Sequence, residues 1–281
     1  MKFGVVLPTY GPDAGRMAII DAALAAEDAG FDSIWVTDHL ALPVEDAERF
    51  TPIYEAISTL SFLAGSTSRI RLGISALVLP QRNAIEVGKS LATLDNLSGG
   101  RVILAAAIGW SAGEFSNLGY LFSDRVKRTE ESIKVLRTLW RGRPTANFRG
   151  EYYHFQRLTF QPGPVQSGGP VLWVAGNAAA SLRRAVSLGD GWHPNLRSAD
   201  TLRQELDSVR PMLMGRPFTV SMRMPVGDGE ILTHSPAQIV DQLKIYAAAG
   251  LEYPVLHFKG PAHSREIAIR KFAREVIPIL R

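Results

Sequence analysis

Cysteine is absent from all 281 residues. That excludes a disulfide framework, a thiolate metal site and a cysteine nucleophile, and it leaves no sign of an oxidising compartment. No apolar run approaches the ~18–20 residues that span a bilayer. The opening stretch, MKFGVVLPTY, holds one lysine and an apolar segment too short for a secretory leader. A cytoplasmic location, with no membrane partner, is therefore the expectation. Blocks of one charge are missing too. The 31 Lys and Arg against 27 Asp and Glu leave a net +4 that is scattered along the chain, which argues against a nucleic-acid partner. A few arginines gathered around one pocket for an anionic ligand would give the same count. No G-x-G-x-x-G follows an early strand, which removes the main support for a Rossmann fold.

What the chain does contain is alternation. Hydrophobic residues make up 46% of it, enough for a core of ordinary size. Short β-branched runs predict strands at Phe3–Pro8, Ser33–Thr37, Ile70–Val78, Val102–Ile108, Val171–Ala175, Gly191–His193, Phe218–Pro225 and Pro254–Phe258. Between them lie helical patterns, beginning with Gly15–Ala29, Pro52–Ala64 and Ala84–Leu97, and punctuated by Gly30, Gly65, Gly99, Gly189 and Gly250. Runs such as VILAAAI show the continuous burial that parallel strands need. Strand–helix units repeated in this way predict an α/β fold, a (β/α)8 TIM barrel, spanning residues 1–281 as one domain. Residues 141–170, rich in Pro, Gly and aromatics without helical period, read as a loop or hairpin insertion before the fifth strand.

In such a barrel chemistry gathers where strands end, and the opposite rim serves stability. Past the predicted strands stand Tyr10, Asp38-His39, Gly109-Trp110 with Glu114 beyond, Gly176-Asn177-Ala178, His193 and His257. A metal site built from His39, His193, His257 and Asp38 is one reading, but the His-x-His of barrel hydrolases is missing, so no metal is expected. Schiff-base chemistry would rest on Lys259 alone. A third reading begins at LWVAGNAAASLRRA, residues 172–185, where a buried strand meets glycine and a helix starts. Free backbone N–H groups there suit a phosphate, although a tight turn that needs Gly176 for its backbone alone reads the same way. With Trp110 and Trp192 at neighbouring strand ends, a phosphorylated planar cofactor is the attractive ligand.

LSGGR followed by VILAAAIGW and Glu114-Phe115, together with SIWVTDHL, LVLPQRNAIEVGKSLATLDNLSGGR, RTEESIKVLRTLW and RRAVSLGDGWHP, resembles the bacterial luciferase-like monooxygenase superfamily, in particular its branch of coenzyme F420-dependent oxidoreductases. The likeness covers nearly the whole chain in order. It implies that Asp38 and His39 lie beside the cofactor ring, with His39 as the proton-transfer group. Ser75-Ala76 would be the cis-peptide bulge that backs the ring, Gly109 and Trp110 would lie near the ring, and Gly176, Asn177 and Ala178 would hold the cofactor phosphate. LSGGR itself falls on the stability face. One departure is informative: deazaflavin sugar-phosphate dehydrogenases carry a catalytic carboxylate at the position aligned with Trp110, so sugar-phosphate oxidation is not expected. Glu114, one helical turn further, reads either as a carboxylate for the pocket or as an exposed residue complementing the helix dipole.

The resulting expectation is F420-dependent hydride transfer to or from a small-molecule substrate. His39, Asp38 and Glu114 would be catalytic, with Asp38 orienting the imidazole or the ring, and Tyr10, Trp110, His193 and His257 would form the substrate walls. FMN-dependent oxygenation, with a reductase partner supplying reduced flavin, is the alternative cofactor reading. A non-catalytic flavin-binding protein is the alternative from another class. The resemblance also raises a homodimer.

Overall fold

The protein, described here by a computed structural model over residues 1–142, 145–233 and 235–281, is built on eight parallel strands that close on themselves. The strands are β1 (Gly4–Val6), β2 (Ser33–Val36), β3 (Arg71–Val78) and β4 (Val102–Ala107), then a hairpin of β5 (Thr145–Arg149) and β6 (His154–Thr159). After it come β7 (Val171–Ala175), β8 (Gly191–His193), β9 (Thr219–Val226) and β10 (Tyr253–Phe258). Around the barrel the order is β1-β10-β9-β8-β7-β4-β3-β2, and β1 pairs with both β10 and β2, so the sheet has no free edge. This is the (β/α)8 TIM barrel. The hairpin lies within the stretch expected as an insertion; residues 143 and 144 of that stretch fall outside the described residues.

Helices cover the barrel because each offers a small apolar face. In Arg16–Asp28 the buried stripe is Ile19, Ala22, Ala23, Ala25 and Ala26. The second helix departs from the sequence reading at both ends. It runs Ala56–Ser66, begun by the Glu55 side chain accepting from the Ser58 N–H, and Gly65 lies inside it. Its stop is Thr67, extended, whose hydroxyl donates to the Leu63 carbonyl at 2.7 Å. The LSGGR segment does serve the rim opposite the strand ends. Gly99 caps the helix Ala84–Ser98 in a left-handed turn, and the Arg101 guanidinium donates to Ser98, Thr67, Ile70 and Ala64, tying the connections before β3 and β4 together.

Inside the barrel an aromatic plug forms the floor of the rim above it. Trp35 and Trp173 stack with ring centroids 5.2 Å apart, and Tyr253 packs edge-on against both. The Trp35 N–H and the Tyr253 hydroxyl both donate to Ser33 Oγ, so these polar atoms are satisfied in the dry interior. Gly4 and Gly73 make room for the plug: a Cβ on either would come within 2.4 and 2.3 Å, respectively, of the Trp35 ring. Among the described residues no helix is long and apolar enough to cross a membrane.

Candidate active site

Above the plug a cavity of about 970 Å³ opens at the C-terminal ends of the strands. That volume lies at the upper end of ligand pockets in general and holds a tricyclic ring with a small substrate. His193, on β8, forms part of its floor. The imidazole stacks on Trp35 at 5.4 Å, and its two nitrogens engage the hydroxyls of Ser75 and Ser221. Burial, with the Arg223 charge adding to it, pushes the His193 pKa down to about 3.

That depression has a measurable consequence. An unfolded chain takes up the proton near pH 6.5 while the folded one refuses it, so stability is fullest above about pH 6.5 and falls as pH drops toward 3. Each pH unit costs about 1.4 kcal/mol per such imidazole. Urea midpoints compared between pH 7.5 and pH 5.5 should decrease, and His193→Gln should flatten that slope; an unchanged slope in the variant would assign the acid sensitivity to other groups.

Next to His193 the β3 strand is irregular. Its register against β4 slips between Ser75 and Leu77, and the Ser75–Ala76 peptide is cis. The irregularity presents both residues to the cavity.

His39 follows β2 and lines the cavity, and behind it lies Glu114, 1% exposed, in the short helix Ala112–Asn117. The exposed reading of Glu114 does not hold. Ser111 caps that helix by accepting the Glu114 N–H at 3.1 Å, and the Glu114 carboxylate is held inward by its own hydrogen bonds. Glu114 Oε2 meets His39 Nδ1 at 2.9 Å and accepts from Gln81, while Oε1 accepts the Leu40 N–H at 2.6 Å. Burial acts to raise the Glu114 pKa, but the hydrogen bonds from His39, Leu40 and Gln81 prevail and hold it below the ordinary glutamate range. An ionised carboxylate on Nδ1 places the proton there and leaves Nε2 as the imidazole's free nitrogen.

Asp38 does something else. Its carboxylate accepts from the Val78 N–H at 2.9 Å and from Arg82 at 2.6 Å, and Arg82 also pairs with Glu55. Burial raises the Asp38 pKa and the Arg82 charge opposes the rise. Asp38 borders the cavity, but the expectation that it orients the imidazole is corrected. Glu114 has that contact, because Arg82 draws the Asp38 side chain toward the end of β3.

The remaining expected residues divide. Gly109 and Trp110 line the wall beside His39, with the half-exposed Trp110 ring nearly perpendicular to the imidazole at 5.6 Å. Tyr10 lines the wall further round. His257 does not reach the cavity, since Tyr10 and Arg223 occupy that part of the wall; it touches Tyr10 at 6.1 Å between ring centroids. Trp192 is fully buried and braces the Gly176 carbonyl with its indole N–H rather than facing a ligand. Phe50, which packs on His39 at 4.7 Å, carried no signal in its loop sequence. Arg223 did carry one: a charge between the buried Met222 and Met224 breaks the apolar run of a parallel strand.

Gly176, Asn177 and Ala178 border the cavity at the end of β7. Gly176 has φ +127°, and a Cβ there would lie 2.6 Å from Ser181 Oγ. The helix that follows, Ala179–Leu188, has neither a side-chain cap nor an acidic residue in its first turn. The Ser181 N–H bonds to the Ala178 carbonyl, and the N–H groups of Ala179 and Ala180 have no side-chain cap and suit water or an anion. Arg183 and Arg184 add nothing here, since neither lines the cavity and Arg184 is buried in an ion pair with Glu130. The uncapped turn, the close glycine and the cavity dimensions fit a planar cofactor bearing a phosphate.

Relatives of this chain include deazaflavin- and flavin-dependent oxidoreductases. A sequence model of luciferase-like monooxygenases matches residues 1–266, and the chain belongs to that family. It is 28% identical to an F420-dependent glucose-6-phosphate dehydrogenase of Amycolatopsis mediterranei (strain U-32), over 95% of each chain. It is also 28% identical to an FMNH(2)-dependent dimethylsulfone monooxygenase of Pseudomonas putida, over 56% of this chain and 44% of that one. Among solved structures, an F420-dependent secondary alcohol dehydrogenase in complex with an F420-acetone adduct superposes with a TM-score of 0.85 at 17% identity, covering 100% of this chain and 99% of that one. Monooxygenase RslO1 from Streptomyces bottropensis gives 0.84 at 19%, covering 100% of both. At such identities these last two speak for the fold alone.

Proposed function

We propose that the protein is a coenzyme F420-dependent oxidoreductase moving hydride to or from a small organic substrate. The observation that carries the reading is His39 at the cavity with Nδ1 held by buried, ionised Glu114. Bound F420 would supply the hydride chemistry at its ring carbon. The chain's own residues would bind, orient and move a proton. The turn at Gly176–Ala178 would hold the phosphate through the N–H groups of Asn177 and Ala178, the Gly176 N–H being engaged by the His193 carbonyl, and the Ser75–Ala76 bulge would back the ring. His39 Nε2 would give or take the proton that accompanies hydride transfer, with Glu114 keeping the tautomer and the ring orientation. Trp110 and Phe50 would shield that nitrogen from water. Trp110, standing where the resembling sugar-phosphate dehydrogenases carry a carboxylate, directs the substrate away from sugar phosphates.

Titration with F420 and, separately, FMN, each oxidised and reduced, tests the reading by fluorescence. Tighter binding of F420 than of FMN is expected. In Gly176→Ala, binding should weaken about tenfold or more, because the added carbon is strained at φ +127° and crowds Ser181. Preference for FMN would replace hydride transfer with oxygen chemistry and call for a reductase partner. Binding of neither would end the cofactor reading.

A further inference from the structure

We infer that Arg223 and Tyr10 form an anion subsite beside His39, and that the substrate seats a carboxylate there; the inference rests on the oxidoreductase reading for its word "substrate" but not for the site itself. Arg223 projects from β9 into the cavity wall, half-buried. Among the described residues no carboxylate pairs with it. Its terminal nitrogens donate instead to two neutral hydroxyls, Tyr10 at 2.6 Å and Thr37 Oγ1 at 3.3 Å.

A guanidinium has five N–H donors and no acceptor, so its other N–H groups are left over. The Tyr10 oxygen already accepts from Arg223, which leaves its own proton to donate. The cluster therefore presents donors only, and a partner supplying acceptors only, with negative charge, complements it. A carboxylate is that partner, and it matches the planar fork of arginine.

The surroundings favour the same sign of charge. Arg49 also borders the cavity, as does Lys259, which is paired with Glu230, whereas Asp38 is neutralised by Arg82 and Glu114 is turned to His39. The depressed pKa values of His193 and His257, to which the Arg223 charge contributes, fit an unscreened cation. Phe50 touches both Tyr10, at 5.4 Å, and His39, at 4.7 Å, so an acid anchored on Arg223 has its remaining atoms along Phe50 toward the imidazole.

The test is calorimetric titration of matched acid and amide probes: benzoate with benzamide, cinnamate with cinnamamide, and succinate with succinamide. Each is run on the protein with and without F420. At least one acid is expected to bind tenfold or more tightly than its amide. Arg223→Gln should remove that preference, and Arg223→Lys should keep part of it. F420 affinity should be the same in wild type and Arg223→Gln. Equal binding of acids and amides, no acid binding at all, or a preference that survives Arg223→Gln would each overturn the subsite. Loss of F420 binding in Arg223→Gln would overturn it as well, by giving the arginine to the cofactor. Failure of wild type to bind F420 would instead sink the cofactor reading, while acid preference in the free protein still decides the subsite.

Discussion

Replacement of His39 by alanine is expected to lower turnover about 10²- to 10⁴-fold, the usual worth of a positioned acid or base, with cofactor affinity little changed. The imidazole touches Glu114, Phe50 and Trp110 rather than the Gly176–Ala178 turn before the uncapped helix, so its loss should spare phosphate binding. Glu114→Gln should cost less, since glutamine still accepts from the Leu40 N–H but no longer fixes the imidazole tautomer electrostatically. As a positioning residue Glu114 should reveal itself in the pH profile: the activity of Glu114→Gln should shift its pH dependence, and Glu114→Asp, which keeps the carboxylate, should retain more of the wild-type profile. Stability adds a second readout. The Glu114 pKa is held low in the fold, so its stabilisation is present above the ordinary glutamate range and lost as pH falls through it. Steady-state kinetics beside cofactor titration separates the cases. Normal turnover in His39→Ala would remove the proton role and favour a protein that binds a flavin without catalysis; a collapse of cofactor affinity would make His39 a binding group.

Gly73→Ala should destabilise the fold by about 1–3 kcal/mol, through overpacking. The new carbon would lie 2.3, 2.4 and 2.7 Å from three atoms of the Trp35 ring, and that ring has nowhere to go. Trp173 stacks on it at 5.2 Å, and His193 lies nearly parallel to it at 5.4 Å. Trp35→Phe vacates the six-membered part of the indole. The penalty of Gly73→Ala should therefore be smaller in the Trp35→Phe background than in wild type, as expected for contacting residues. Denaturant midpoints of the four proteins decide it, and strictly additive losses would mean that the crowding is absorbed elsewhere. Because His193 rests on Trp35, Gly73→Ala should also disturb the cavity floor and weaken ligand binding, linking barrel packing to function.

The two kinds of prediction draw on different levels of information. The eight barrel strands stand in the sequence as apolar runs, and Val171–Ala175 and Gly191–His193 have the bounds that periodicity predicts. Gly99 was legible as a helix stop because turn chemistry is local. Gly65 misled for the same reason: glycine permits a helix end without compelling one, and here Thr67 supplied the stop. The strand-end rule brings Tyr10, His39, Trp110 and Gly176 to one rim, since the side of a barrel on which a residue lies follows from chain direction alone. Between the loop and the hairpin expected for residues 141–170 the sequence does not decide, because the strands of β5–β6 are short and half exposed, without a strong alternating pattern.

By itself, then, the sequence determined the barrel, the rim and the inventory of groups upon it, because periodicity, turn chemistry and chain direction all act over a few residues. Only the tertiary structure decided the pairings. Adjacency in sequence favoured Asp38 as the partner of His39, yet Glu114, 75 positions away, holds the imidazole, while Arg82 takes Asp38. Arg223 likewise meets Tyr10 from 213 positions away. Such contacts depend on how the closed sheet sets its strands and loops against one another, and no short window of sequence contains that geometry.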